Sequence, residues 1–134
     1  MPQRILVIEN DPDYQEILRE ILTSGGYEVV LAASGQEGLK RVKEAQPALI
    51  VLDVMMESAI SGFEVAHCLK SRDPKSEYAA VASTPILILT SIHQATPFRF
   101  KPDGDYIPVE DFMEKPPDPD DLLQRIKILI GTHP

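Results

Sequence analysis

Apolar positions along the chain switch between two periods. Short runs rich in branched residues occur at Arg4 to Glu9, Tyr27 to Ala32, Ala48 to Leu52, Ile86 to Leu89 and Asp111 to Glu114. Runs this short and this continuous predict strands buried on both faces. Between them the apolar residues fall at helical spacing. Tyr14, Ile17, Leu18, Ile21 and Leu22 make one stripe, and Leu39, Val42 and Ala45 a second. Phe63, Ala66 and Leu69 make a third within Phe63 to Lys70, and Leu122, Leu123, Ile126, Leu129 and Ile130 a fourth. The punctuation agrees with this reading. Asp11 can cap the first helix with Pro12 at its first position, and Ser24-Gly25-Gly26 can end it. Ser34 can cap the second, which must stop before Pro47, and Asp118 with Pro119 opens the last.

Strand and helix alternate, which predicts an α/β fold in which a doubly wound parallel sheet carries helices on both faces through right-handed crossovers. One domain, residues 1–134, accounts for the length, since a chain of this size buries about two-thirds of its unfolded surface around a single core. The alternation breaks at SIHQATPFRFKPDGDYIPVE, Ser91 to Glu110, where a fourth helix belongs. Pro97, Pro102 and Pro108 would each cost about 3 kcal/mol inside a helix. Asp103-Gly104-Asp105 adds a turn signal. This segment is expected to be an ordered, mostly non-helical loop anchored by Phe98, Phe100, Tyr106 and Ile107.

Charge narrows the partners. Twenty-one acids against 13 bases give a net charge of −8, so the field of the molecule repels nucleic acid and anionic lipid and favours cations or basic protein patches. Direct nucleic-acid binding and membrane attachment are not expected. The apolar runs fall well short of the roughly 20 residues a bilayer requires, and the N-terminal run reads as a strand and not as a leader. Cys68 has no internal partner, in keeping with a reducing cytoplasm, and reads as a small apolar helix residue. His67, His93 and His133 lie apart without metal-ligand spacing.

In an open parallel sheet ligands bind outside the carboxyl ends of the strands. The residues expected there are Glu9, Asn10 and Asp11 after the first strand, Asp53 after the third, Thr90 and Ser91 after the fourth and Lys115 after the fifth. Acids from two strands at one edge repel each other, and a hard divalent cation relieves them. The same acids exclude a pyrophosphate from the first turn, and neither a dinucleotide glycine motif nor a P-loop nor a nucleophile elbow occurs. A carboxylate beside Mg²⁺, with a hydroxyl and an ammonium near it, suits acceptance of a phosphoryl group. Asp53 is the natural nucleophile, while Thr90 or Ser91 and Lys115 could hold phosphoryl oxygens. Taken singly, each has an ordinary alternative: Asp53 and Asn10 could cap turns, Thr90 could satisfy a strand-end backbone group, Lys115 could be a solvated charge and Phe112 a core aromatic.

ILVIENDP, ALIVLDVMM, Gly62-Phe63-Glu64, PILILTS and FMEKP resemble, in order and spacing, the receiver domain of two-component response regulators, over Arg4 to Ile130. The resemblance implies a flavodoxin-like five-stranded sheet of order 2-1-3-4-5, here with the fourth helix replaced by the Pro-rich loop. It implies Asp53 as phospho-acceptor, Thr90 as the hydroxyl that follows the phosphoryl group, Lys115 as its ion-pair partner and Phe112 as the switch aromatic. Mg²⁺ would be held by Glu9, Asn10, Asp53 and the Met55 carbonyl. The implied partners are a sensor histidine kinase or phosphotransfer protein and an unknown downstream protein. With no output domain after Pro134, a stand-alone, chemotaxis-type receiver in the cytoplasm is expected. No enzymatic activity is expected beyond self-phosphorylation and slow self-dephosphorylation at Asp53, because Met55 and Ile92, which flank the path of the attacking water, are apolar.

Two further departures accompany the loop. Asn10 stands where the family usually has a second acid, and VMMESAISG after Asp53 is one residue longer than usual and lacks a proline. Asn10 favours an alternative, a degenerate receiver that binds partners without phosphorylation, whereas Asp53, Thr90 and Lys115 together favour the phospho-receiver. An aspartyl phosphohydrolase is disfavoured, since Met55 occupies the position where such enzymes need an acid.

Overall fold

The apolar runs line up as one parallel sheet in the computed structural model, which describes residues 3–53, 69, 84–90, 111–114 and 117–132. The strands are β1 (Arg4–Ile8), β2 (Glu28–Ala32), β3 (Leu49–Asp53), β4 (Ile86–Thr90) and β5 (Asp111–Glu114). Their order is β2-β1-β3-β4-β5. The chain therefore winds outward in both directions from β1 and β3, and a crevice is expected beyond their carboxyl ends.

Successive strand residues point to opposite faces, and both faces are apolar because both are covered. Ile5, Val7, Leu49, Val51, Leu87, Leu89 and Met113 pack with Leu18 and Leu22 of α1 (Pro12–Ser24) and with Leu122 and Ile126 of α3 (Pro119–Thr132). Leu6, Ile8, Ile50, Leu52, Ile86 and Ile88 pack on the other face with Val42 of α2 (Gly35–Ala45) and with Leu69. Gly38 lets α2 approach β1 closely, since a Cβ there would stand 2.4 Å from Ile8 Cδ1.

The helix ends are made by the residues the sequence nominates. Asp11 is extended, and its side chain accepts from the Asp13 amide at 2.9 Å, with Pro12 supplying the first helical residue. At the other end of α1, Tyr27 N–H donates to Leu22 O and Gly26 N–H to Thr23 O. This paired closure requires a left-handed residue, and Gly26 takes φ +91° at no steric cost. Ser34 Oγ accepts from the Glu37 amide at 3.1 Å while Glu37 Oε1 accepts from the Ala33 amide at 2.8 Å, a reciprocal cap on α2. Asp118 Oδ2 accepts from the Asp121 amide at 2.9 Å and caps α3.

Several strand boundaries shift by one residue from the sequence reading: β2 starts at Glu28 and β3 at Leu49, and at the crevice β3 runs on through Asp53 while β1 and β4 change as well. β1 ends at Ile8 because Glu9 turns its carbonyl and carboxylate to α1, while β4 runs on through Thr90, which pairs in register with Glu114. The expected helix at 63–70 lies outside the described residues except for Leu69, which is helical and fully buried. The Pro-rich loop of 91–110, with its aromatic anchors, and the long loop after Asp53 lie outside them as well.

Candidate functional site

Register places the candidates along one edge. Ile8 pairs with Ala32 on one side and with Leu52 on the other, so Glu9, one residue on, comes level with Asp53. On the far side of β3, Asp53 pairs with Leu89, which puts the backbone of Thr90 one step beyond Asp53. Thr90 in turn pairs with Glu114, the last residue of β5, and Lys115 follows it in the chain. Three adjacent strands thus bring Glu9, Asp53 and Thr90 to a common edge. Phe112 sits in β5 opposite Ile88. The surroundings of Lys115 and the Met55 carbonyl lie outside the described residues.

Burial makes this edge unusual. Glu9 is 1 % exposed and Asp53 3 %, and they are the buried charged side chains among the described residues. Burying an ion costs several kcal/mol unless partners recover it, and two like charges at one edge add repulsion. Part of the recovery is visible at Glu9, whose Oε2 accepts from the Asp11 amide at 3.1 Å. Its N–H donates to Ala32 O at 2.9 Å, and its carbonyl accepts from Gln15 Nε2 at 2.5 Å. Asn10 follows, exposed, on the bend between β1 and α1.

The crowded acids of ENDPD therefore divide by task. Asp11 holds the first turn of α1, Asp13 lies within that helix, and Glu9 alone of the three is buried at the strand ends. Among the described residues no group of three or more His, Cys, Asp or Glu could hold a metal. The available set is two buried carboxylates, Glu9 and Asp53, together with the neutral amide of Asn10. Carboxylate and amide oxygens fit a hard cation such as Mg²⁺, with less ligand charge than three acids would offer.

Gln15 is the site neighbour that sequence reasoning passes over. A glutamine on the first turn of a helix is ordinary, and only the fold shows its side chain reaching back six residues to Glu9. Among the described residues no helix is long and apolar enough to cross a membrane.

Residues 5–127 match the family model described as the response regulator receiver domain. The DNA-binding dual master transcriptional regulator RpaA of Synechocystis sp. is 32 % identical over 127 residues, which cover 95 % of this chain and 48 % of that protein. The chain spans about half the length of the curated relatives it matches. Among solved structures, the chemotaxis protein CheY4 of Vibrio cholerae superposes with a TM-score of 0.73 at 26 % identity, covering 96 % of this chain and 99 % of that one. The receiver domain of the sensor histidine kinase PA1611 from Pseudomonas aeruginosa, which has a magnesium ion coordinated in its active site cleft, superposes with a TM-score of 0.73 at 21 % identity. That superposition covers 98 % of this chain and 99 % of that one.

Proposed function

The chain belongs to the response regulator receiver family, and from that premise we propose that it accepts a phosphoryl group on Asp53 from a histidine kinase or phosphotransfer protein and signals through phosphorylation-dependent protein contacts. The observation that carries this reading is the register that sets buried Asp53 level with buried Glu9 on one neighbouring strand and beside Thr90 on the other. A carboxylate oxygen of Asp53 attacks phosphorus in line, the bond from phosphorus to the donor breaks, and the group stays on Asp53 as an acyl phosphate. Thr90 closes the strand next to Asp53, and its hydroxyl would donate to a phosphoryl oxygen, with Lys115 supplying the countercharge and Phe112 the switch. Glu9, Asn10, Asp53 and the Met55 carbonyl would hold Mg²⁺, which supplies charge neutralisation on the phosphoryl oxygens. Labelling by a small phosphodonor, lost on Asp53→Asn, tests the reading.

We place this activity in the cytoplasm. The net charge of −8 argues against direct nucleic-acid contact by these 134 residues; DNA binding in the named relative belongs to a protein about twice as long.

Because Asn10 contributes an oxygen without a charge, Mg²⁺ should bind weakly. Asn10→Asp is expected to tighten it by about an order of magnitude, since affinity of hard-cation sites rises with ligand charge. A Mg²⁺ titration in which the variant binds no better than wild type would count against direct ligation. Asn10 also favours a second reading, a receiver that engages partners without phosphorylation; wild-type protein that takes no label from donor and Mg²⁺ would select it. The phosphorylated state should decay slowly, because neither Met55 nor Ile92 can orient a water by hydrogen bonding. Ile92→Asn and Ile92→Glu should change the decay rate of phosphorylated protein, and equal rates in all three proteins would remove that position from the account.

A further inference from the structure

Glu9 lies one residue beyond the end of β1, where its N–H still donates to Ala32 O of β2 but its carbonyl turns towards α1. The carbonyl oxygen is held by Gln15 Nε2 at 2.5 Å. That oxygen and the Asn10 nitrogen belong to one planar peptide unit, so holding the oxygen fixes the plane from which Asn10 departs. On the other side of Asn10, the Asp11 amide donates to Glu9 Oε2 at 3.1 Å. Both peptide units flanking Asn10 are therefore pinned. Gln15 is itself anchored, since its own N–H donates to Asp11 O at 2.9 Å and its side chain is half-buried.

We infer that Gln15 is a positioning residue for the acidic edge, fixing the Glu9–Asn10 peptide so that the Asn10 amide oxygen is aimed without the help of a charge. The inference rests on the proposed Mg²⁺ site. A charged ligand is drawn to a cation over a range of orientations, whereas a neutral amide gains less from attraction and depends more on being placed beforehand. Partners that orient ligands from behind typically affect metal affinity by about 10- to 100-fold.

The test is a Mg²⁺ titration followed through the backbone NMR signals of Asn10 and Asp53, with thermal melting in parallel. Gln15→Leu removes the donor. Gln15→Met keeps the length without a donor or a charge, which covers the case in which the leucine variant fails to fold. Gln15→His, neutral above its ordinary pKa, keeps a donor. The expected result is a Mg²⁺ dissociation constant raised about 10-fold in the leucine and methionine variants and restored towards wild type by histidine, at similar melting temperatures. Wild-type affinity in the leucine and methionine variants overturns the inference while leaving the metal site standing, and so does a histidine variant as weak as leucine. Wild-type protein that binds no Mg²⁺ overturns the metal site and this inference with it.

Discussion

Incubated with Mg²⁺ and acetyl phosphate, wild-type protein is expected to gain the mass of one phosphoryl group, and Asp53→Asn none. The amide keeps the size and most of the shape of the carboxylate but lacks the anionic oxygen that attacks phosphorus. Loss of labelling should therefore be complete, not graded. The substitution also separates chemistry from folding. Asp53 is 3 % exposed and level with the buried Glu9, so removing its charge relieves repulsion and desolvation together. Its melting temperature without Mg²⁺ should stay at or above that of wild type, and loss of label cannot then be attributed to unfolding. Peptide mapping of the wild type should place the label on Asp53. Equal labelling of both proteins, or label mapping to Asp11 or Asp13, would remove Asp53 as the acceptor.

The fold was legible where local signals and global pattern agree. Strands apolar at every position can only be buried on both faces, and the caps at Asp11, Ser34 and Asp118 each mark the start of an amphipathic stripe. Asp53 and Thr90 were legible as strand ends, because a polar residue closing an apolar run must lie at an edge of the sheet. What escaped depends on neighbours remote in sequence. Glu9 read as the last residue of β1, and its N–H does still donate to Ala32 O of β2; only its bonds to Asp11 and Gln15 show that its carbonyl and carboxylate have turned towards α1. Those same bonds explain why Gln15 gave no signal: its partner is a backbone carbonyl, which every residue type possesses. Gly38 is hidden in the same way. Within a helical stripe a glycine reads as a weak helix former, and nothing local shows that a strand side chain lies against it.

That contact gives the second large effect. A Cβ on Gly38 would stand 2.4 Å from Ile8 Cδ1, 2.7 Å from Cγ1 and 3.2 Å from Cγ2. Contacts this short cannot persist, and moving the tip alone is insufficient because Cγ1 is also too near. Ile8 is fully buried and sits in register with both Ala32 and Leu52, so it has little room to withdraw. Replacing glycine by alanine within a helix gains about 1 kcal/mol, while overpacking a core costs about 1–3 kcal/mol. The clash should win. Gly38→Ala is expected to destabilise by about 1 kcal/mol, and Gly38→Val, with two more methyls at the same spot, by about 3 kcal/mol. Denaturant unfolding measures both. The cause can be isolated with Ile8→Val, which removes the nearest atom, frees space for the remaining methyls and costs about 1 kcal/mol alone. If contact with Ile8 is what penalises Gly38→Ala, the double variant should be about as stable as Ile8→Val, a coupling of about 1 kcal/mol between touching residues. Strictly additive losses would show that the penalty arises elsewhere, and a stabilised Gly38→Ala would show that α2 can lift from β1 at no cost.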